Sequence, residues 1–227
     1  MTKDSHFETK VIEISDLGEN YIYLALARPE GFAYLPGQYT FIIMNDKQGE
    51  HRAYYSIASS PNQHDRLEFC VTRTNNIRQK QFYSQLSAGA KVIVGAPASA
   101  NLANATLGPA VIAFAGGSGI APIRSILNAL QETNITLVYG CRHGAERPFH
   151  KEFATKSETD RGFVYKSCAD QVNNSDALEG KVTDFIEEVF QKEAHYLLCG
   201  PKPMLEALES RLINKGIDKT QIHYDGF

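Results

Sequence analysis

A glycine-rich segment in the middle of the chain has residue types that suit a bound phosphate. It runs Gly116-Gly117-Ser118-Gly119 and on to Pro122, between an apolar strand-like run and a helical pattern. Glycines let the chain turn sharply and bring backbone N–H groups close to a pyrophosphate, and the N-terminus of the following helix adds partial positive charge. The Gly-Lys-Ser/Thr of a P-loop is absent, and a plain strand-to-helix turn is the competing interpretation.

A second turn of this kind lies near the end of the chain. Cys199 ends an apolar run, and Gly200, Pro201 and Met204 follow it. Ligands bind at the carboxyl ends of the strands in open α/β sheets, so the Cys199 thiol should lie at the same edge as the first turn. An inert core thiol is the alternative for a lone cysteine on an apolar strand.

Two further segments combine aromatic and charged residues. Arg52, Tyr55 and Ser56 lie in a strand-like run, and Asp225 and Phe227 end the chain. Arginine can hold a phosphate by two parallel hydrogen bonds, an aromatic ring can stack on a flat cofactor, and a serine hydroxyl can donate to a ring nitrogen. An ordinary tyrosine-rich strand and a frayed tail are the alternatives.

Two domains should position these residues. Up to about residue 108, six short alternating or apolar runs and one helical segment predict an antiparallel six-stranded barrel or sandwich. From residue 109 strands alternate with helices, which predicts a doubly wound parallel sheet. We place the domains at 1–104 and 105–227. The predicted strands are 9–14, 21–27, 39–44, 54–58, 67–72, 91–94, 111–115, 135–139, 163–167, 196–199 and 222–224, and the predicted helices are 79–86, 122–131, 149–155, 182–190 and 203–213.

Composition excludes several classes of function. The formal charge of −3 gives no reason to expect a nucleic-acid partner. The four cysteines lie far apart, so no CxxC spacing for zinc or an iron–sulfur cluster exists, and we expect reduced thiols and no metal site. The polar N-terminus lacks a signal-peptide core and no run approaches about 18 apolar residues, so we expect a cytoplasmic protein without a membrane span.

Taken in order along nearly the whole chain, these segments resemble the ferredoxin–NAD(P)H reductase superfamily. The resemblance includes the family's PGQ turn, its flavin-binding Arg-x-Tyr-Ser, its pyridine-nucleotide glycine turn, its nicotinamide-site motif and its acid-x-aromatic chain end. It implies a FAD-dependent oxidoreductase that takes electrons from NADH or NADPH and passes them to a separate acceptor. The matching residues are Leu35-Pro36-Gly37-Gln38-Tyr39, Arg52 with Tyr55-Ser56, Gly116 to Pro122, Cys199-Gly200-Pro201 with Met204, and Asp225-Gly226-Phe227.

On the flavin side, the resemblance implies that Arg52 holds the flavin phosphate. It also implies that Tyr54 or Tyr55 packs on the isoalloxazine ring and that Ser56 lies near flavin N5. Phe227 would cover the other ring face and move aside for nicotinamide. The remaining flavin contacts would be Val71, Thr72, Arg73, Lys80, Gln81 and Phe82.

On the nucleotide side, the resemblance implies that Cys199 borders the hydride path. Asp225 would relay protons with Ser56, so that Ser56, Cys199 and Asp225 form the catalytic set. The remaining nucleotide contacts would be Gly116, Gly117, Ser118, Gly119, Arg142, Ser167, Gly200, Pro201 and Met204.

The chain departs from the family pattern at the flavin phosphate. Ala53 stands where the family has its arginine, and Arg52 lies one residue earlier. A shift of one residue along a strand reverses the face of a side chain unless a bulge restores it. The usual glycines are also missing from 74–81, which leaves FMN open beside FAD. The charges that could replace the missing backbone donors are those of Arg73, Arg78 and Lys80.

The sequence favours NADH slightly and leaves the acceptor open. After the third strand of the second domain, Lys166 could meet the 2′-phosphate of NADPH, whereas Asp170 would repel it. A ferredoxin or an oxygenase component is the first expectation for the acceptor, and free flavin is the close alternative. A non-catalytic electron-transfer subunit and a nucleotide-binding domain without flavin also stay open.

Overall fold

The computed structural model describes residues 6–46, 49–131 and 133–226. Over these residues the first half of the chain forms an antiparallel sheet of six strands. Side chains alternate between its two faces, which places the apolar ones inside. The elements are β1 (His6–Asp16), β2 (Tyr21–Ala27), β3 (Tyr39–Asp46), β4 (Gly49–Ser56), β5 (Arg66–Thr72), α1 (Ile77–Ser84) and β6 (Lys91–Gly95).

This sheet curls but does not close. Its strand order is β4-β3-β6-β1-β2-β5, so β4 and β5 are its two edges. A bulge in β1 between Val11 and Glu13 increases the local twist. The predicted barrel is therefore a half-barrel whose open side lies between β4 and β5. Its core includes Ile22, Leu24, Leu26, Ile42, Ile57, Leu67, Phe69, Val71 and Val94.

The second half forms a parallel six-stranded sheet with a hydrophobic cluster on each face, which confirms the predicted fold. Both faces are covered, so its central strands are apolar along their length. The elements are β7 (Ala110–Gly116), α2 (Ile120–Leu127), β8 (Asn134–His143), α3 (His150–Thr159), β9 (Phe163–Gln171), β10 (Leu178–Glu179), α4 (Ile186–Val189), β11 (His195–Gly200), α5 (Lys202–Asn214) and β12 (Ile222–Gly226).

Most elements differ from the predicted bounds by a few residues, and three differences have a clear physical reason. Strand β4 begins at Gly49, earlier than the predicted strand 54–58, because its polar first residues pair with β3 through the backbone. Helix α2 ends at Leu127 rather than 131, because the amide of Asn128 already closes the last turn. Strand β10 has only two residues, too few to show a hydrophobic period.

The strand order of the second sheet creates a switch point. The order is β10-β9-β8-β7-β11-β12, so the chain builds outward from β7 on one side and returns to the other side at β11. The connections that leave β7 and β11 diverge here, and such points are where open α/β sheets bind ligands. Both nucleotide motifs predicted from the sequence follow these two strands, so the fold brings them side by side.

The two turns approach each other backbone to backbone. A Cβ atom on Gly119 would lie 2.3 Å from the carbonyl oxygen of Cys199. A Cβ atom on Gly200 would lie 3.2 Å from the Cα of Gly116, and Gly117 has a φ of +55°. Glycine is therefore required here by lack of space and, at Gly117, by backbone conformation.

We expect Gly119→Ala to separate the two turns, because its methyl group would overlap a backbone oxygen rather than a flexible side chain. Overpacking of this kind costs about 1–3 kcal/mol, so the free energy of unfolding in urea should fall by that amount. Gly162→Ala is the matched control, since its Cβ would lie 3.3 Å from the Asp160 side chain. Equal unfolding midpoints for the two variants would contradict the close approach.

Candidate functional site

A cleft of about 370 Å³ lies between the open side of the half-barrel and the carboxyl edge of the parallel sheet. Strands β4 and β5 form one wall with the segment leading into α1, and the glycine turn and the start of α2 form the other. The two groups of motifs identified separately in the sequence therefore face each other across one cleft. It is lined by Ala53, Tyr54, Tyr55, Ser56, Cys70, Thr72, Thr74, Gln79, Ser118, Gly119, Ala121, Pro122 and Cys199.

Tyr55 and Ser56 end β4 at this cleft, where the motif predicted them. The Tyr55 hydroxyl accepts a hydrogen bond from Gln79 Nε2 at 2.6 Å, and its ring meets that of Tyr83 edge-on, with centroids 6.3 Å apart. Burial raises the pKa of Tyr55, so its hydroxyl stays protonated. Tyr54 is 61% exposed. Tyr55 is therefore the ring that the fold anchors, and Gln79 is a site residue that no sequence motif indicated.

Arg52 lies on the opposite face of β4 from Tyr55. The pairing of β4 with β3 is regular along the strand, so no bulge restores the offset seen in the sequence. The Arg52 guanidinium lies 4.7 Å over the Phe41 ring, and its Nε donates to Glu50 at 2.8 Å. Ala53 lines the cleft in its place. The role of Arg52 in holding a phosphate stays a prediction, and the register of β4 does not favour it.

Strand β5 offers side chains and a backbone edge to the cleft. Cys70 and Thr72 line the cleft, whereas the Val71 side chain packs in the half-barrel core. Burial raises the pKa of the Cys70 thiol to about 12, so this wall is uncharged. Arg73 forms an ion pair with Asp16 at the end of β1. Thr72 is therefore the polar side chain that this strand presents, and its backbone edge is already joined at Glu68 to the amide of Ala58.

Helix α1 places three predicted flavin contacts beyond its first turn. Gln81 and Lys80 are exposed, and Phe82 packs against the half-barrel core. The residues of this segment that line the cleft are Thr74 and Gln79. Flavin contacts by Lys80, Gln81 and Phe82 stay predictions.

The N-terminus of α1 lies within the segment 74–81, where the sequence lacks the glycines of the family pattern. The Asn76 side chain caps it and accepts hydrogen bonds from the amides of Arg78 at 3.0 Å and Gln79 at 3.3 Å. Helix N-termini attract anions, and Arg78 adds a full positive charge to this one. This end of α1 is where the described residues could hold a flavin phosphate.

The glycine turn forms the nucleotide side of the cleft. Ser118 and Gly119 line it. Tyr139 donates a hydrogen bond from its buried hydroxyl to the carbonyl of Gly117 at 3.1 Å and so supports the turn from below. Ser118 and Gly119 are therefore the residues through which this turn borders the cleft.

The second turn packs on the first and closes the wall. A Cβ atom on Gly116 would lie 2.8 Å from Met204 Sδ and 3.1 Å from Pro201 Cδ, so both side chains cover the glycine turn. Gly200 is buried beside them. Burial raises the pKa of the Cys199 thiol far above its usual value, and the nearby Asp225 adds to the rise. Cys199 therefore borders the cleft as a neutral thiol.

Asp225 is tied to the segment that leads into β7. The amide of Asn101 donates to its Oδ1 at 2.8 Å, and the amide of Leu102 donates to its Oδ2 at 3.0 Å. Burial raises the pKa of Asp225, and these two hydrogen bonds oppose the rise. Asp225 lies opposite Cys199 in the register of β11 and β12. Its proton relay with Ser56 stays a prediction, since both carboxylate oxygens are engaged.

Beyond the cleft, the ends of β8 and β9 carry the remaining predicted nucleotide contacts. Arg142 is exposed at the carboxyl edge, as a nucleotide contact requires. Ser167 is buried and accepts a hydrogen bond from Arg147 Nη1 at 2.5 Å. Arg147 carries no motif signal and was not predicted.

Phe227 lies outside the described residues, so its place over the flavin stays a prediction. Across residues 6–46, 49–131 and 133–226, no group of three or more His, Cys, Asp or Glu side chains could hold a metal ion. No helix within these ranges is long and apolar enough to cross a membrane.

The chemistry of the cleft fits a flat heteroaromatic ring. Its lining residues carry hydroxyl, amide, thiol and apolar groups but no charged side chain. Two larger cavities, of about 630 and 540 Å³, are lined in part by charged side chains and do not contain the glycine turn. The chemistry of the lining, rather than volume, identifies the 370 Å³ cleft as the candidate site for an isoalloxazine ring.

Known families match the two halves of the chain in the same order. The FAD-binding domain family matches residues 6–113, and the oxidoreductase NAD-binding domain family matches residues 114–210. The first match covers the half-barrel, and the second begins within β7 and includes both glycine turns.

Similar proteins support the same assignment. The reductase component of propane 2-monooxygenase from Gordonia sp. (strain TY-5) is 27% identical over 96% of this chain and 67% of its own length. The electron transfer component of toluate 1,2-dioxygenase from Pseudomonas putida is 25% identical over 100% of this chain and 69% of its own. Flavohemoprotein A from Dictyostelium discoideum is 24% identical, and this chain spans only 60% of its length.

A solved structure shares the fold. The ferredoxin NADP+ reductase of Neisseria gonorrhoeae, with FAD and NADP bound, has a TM-score of 0.85 at 20% identity, over 100% of this chain and 99% of that chain. The half-barrel, the parallel sheet and the matched families confirm the resemblance drawn from the motifs. The chain belongs to the ferredoxin–NAD(P)H reductase superfamily, with a FAD-binding domain followed by a NAD-binding domain.

Proposed function

We propose that this chain takes electrons from NADH or NADPH onto bound FAD and passes them to a separate acceptor. One observation carries the proposal: Tyr55, Ser56 and Thr72 from the first domain line the same cleft as Ser118 and Cys199 from the second. Hydride transfer needs the two reacting rings in contact, and a cleft shared by both domains supplies that proximity.

The redox chemistry belongs to FAD, which accepts the hydride when it is bound. The residues of the chain bind FAD and the nicotinamide nucleotide and orient them toward each other. Tyr55 offers a ring whose hydroxyl is held by Gln79, and the Ser56 hydroxyl can donate to a ring nitrogen. Ala121 and Pro122 add apolar surface to the nucleotide side of the cleft.

NADH is the donor that the charges favour. A preference for NADPH requires a cation that is free to meet the 2′-phosphate. Lys166 instead donates to Glu188 at 2.6 Å, and Asp170 is exposed near the end of β9, where it would repel a phosphate.

An oxygenase component or a ferredoxin is the acceptor class we favour. The propane 2-monooxygenase and toluate 1,2-dioxygenase relatives are named as a reductase component and an electron transfer component. The cysteines of this chain have no iron–sulfur spacing, so electrons must leave the flavin for a carrier outside these two domains.

Anaerobic titration of the purified protein, first with NADH and then with NADPH, tests the proposed reaction. We expect NADH to bleach the visible flavin bands at about tenfold lower concentration, equivalent to ~1.4 kcal/mol in binding. Asp170→Ser should bring the NADH and NADPH concentrations that bleach the flavin closer together, because it removes the charge that repels the 2′-phosphate of NADPH. A protein that stays colourless after FAD is added would contradict the proposal and support a nucleotide-binding domain without flavin.

We expect Ser56→Ala to slow reduction of the flavin about tenfold, or ~1.4 kcal/mol in activation free energy, with flavin content unchanged. The reason is the place of Ser56 in the cleft wall beside Tyr55. Stopped-flow mixing with NADH under anaerobic conditions measures the rate. Ser84→Ala, on the exposed side of α1, is the control. An unchanged rate in Ser56→Ala would remove this hydroxyl from the mechanism.

The register of β4 predicts different outcomes at two arginines. We expect Arg52→Ala to keep its flavin, because its side chain lies on the face of β4 opposite Tyr55. Arg78→Ala should weaken flavin binding by about 1.5–3 kcal/mol, the usual loss for a hydrogen bond to a charged group. Flavin fluorescence during titration gives both dissociation constants. If Arg52→Ala alone released flavin, the assignment of the phosphate to the end of α1 would fail.

A further inference from the structure

Arg124 in α2 joins the two domains. Its Nη1 donates to Glu68 Oε2 at 2.6 Å and to the carbonyl oxygen of Ala58 at 3.0 Å, both in the half-barrel domain. Its Nε donates to Glu152 Oε2 on α3 at 2.8 Å. One guanidinium therefore binds three separate segments, and its planar fork holds these donors in a fixed geometry that a lysine ammonium lacks. We call these four residues the Arg124 clamp.

The clamp lies beside the cleft, and Arg124, Glu68 and Glu152 line the larger cavity of about 630 Å³. Ala58 is two residues after Ser56, and Glu68 is two residues before Cys70 on β5. Helix α2 carries Arg124 about one turn after Ile120, which follows the glycine turn. The clamp therefore connects both flavin-side strands to the helix whose N-terminus faces the nucleotide.

The surroundings hold the clamp in one arrangement. The side chains of Arg124 and Glu68 are only 11% and 8% exposed. Ser125 donates to the carbonyl of Ser59 at 2.7 Å and adds a second bond between α2 and the segment after β4. The Phe149 ring packs against the guanidinium at 4.4 Å, and Phe149 adopts a left-handed backbone with φ of 62°. Surrounding structure must over-determine such a conformation for it to persist.

Stability alone does not explain a clamp of this kind. The desolvation of two buried charges offsets most of their attraction, so a buried ion pair is weak evidence for stability. A three-way arginine does restrict the position of α2 against β4 and β5. Hydride transfer is sensitive to such positions, since a misplacement of about 1 Å can cost on the order of 100-fold in rate.

We propose that Arg124 is a positioning residue for hydride transfer, which sets the distance between the glycine turn and the flavin-side strands without lining the cleft itself. This inference rests on the proposed function, because it concerns the same reaction. Arg124 acts through Glu68 and the Ala58 carbonyl. Its loss should therefore change the rate of flavin reduction at saturating nucleotide and leave nucleotide affinity and flavin content almost unchanged.

The test compares Arg124→Met, Arg124→Lys and the double variant Arg124→Met/Glu68→Gln. The double variant removes the buried Glu68 charge together with Arg124, while Glu152 is 33% exposed and keeps its hydrogen bond from Asn128. In the Met variants we expect wild-type flavin content and affinity for NAD+ within about twofold of wild type. The rate of flavin reduction by saturating NADH should fall about tenfold or more, with weaker charge-transfer absorbance. Arg124→Lys should recover part of the rate. Lys215→Met, which removes a cation from an exposed pair with Glu187, is the control and should keep the wild-type rate.

Hydrogen exchange over residues 57–60 and 120–127 gives a readout that does not depend on flavin chemistry. Exchange should be faster in the double variant, which stays informative if Arg124→Met alone fails to fold. The inference would be overturned if the double variant showed faster exchange but reduced its flavin at the wild-type rate. It would also be overturned if exchange in the double variant matched the wild type. Failure of the wild-type protein to reduce flavin would contradict the proposed function, and the exchange rates would then decide whether Arg124 holds α2 in place.

Discussion

The backbone contact between Gly119 and the carbonyl of Cys199 is the constraint on which the rest of the site depends. No side chain fits at Gly119, so the turns after β7 and β11 meet directly at the switch point of the parallel sheet. This contact places Cys199 in the cleft wall and directs the start of α2 toward the same space. Because α2 also packs against the half-barrel through Arg124, the contact determines where the flavin-side strands lie relative to the nucleotide turn.

The cleft is lined by uncharged side chains, and the charged cluster around Arg124 lies outside it. Burial raises the pKa values of Cys70 and Cys199, so both thiols stay protonated where they border the cleft. The ion pair of Arg124 with Glu68 lies outside the cleft and is only 11% and 8% exposed. In a slot without fixed charges, oriented dipoles such as the amides at the start of α2 have a large influence on a bound ring. The cleft is lined by uncharged side chains, and the charged residues lie outside it. This arrangement suits a site that transfers a hydride rather than one that activates a nucleophile.

Hydrophobic periodicity was enough to predict both sheets. The spacing of apolar residues along each strand and helix follows the side of that element that is buried, and this spacing can be read from the sequence. It could not determine the face that Arg52 takes on β4, since that depends on whether a bulge interrupts the pairing with β3. Gln79 also escaped prediction, because its contact with Tyr55 joins a helix to a strand and has no motif. The engagement of Asp225 with Asn101 spans 124 residues, a contact that only the folded chain reveals.

The hydrogen bonds from Asn101 and Leu102 to Asp225 also join the segment just before the nucleotide-binding domain to the last strand of its sheet. The residues that lead into its first strand lie beside the end of its last strand, so the domain forms a nearly closed ring of chain. Domains with adjacent ends can be inserted into other chains or circularly permuted without rearranging their cores. The parallel-sheet domain therefore has the closely spaced ends that insertion into another chain requires.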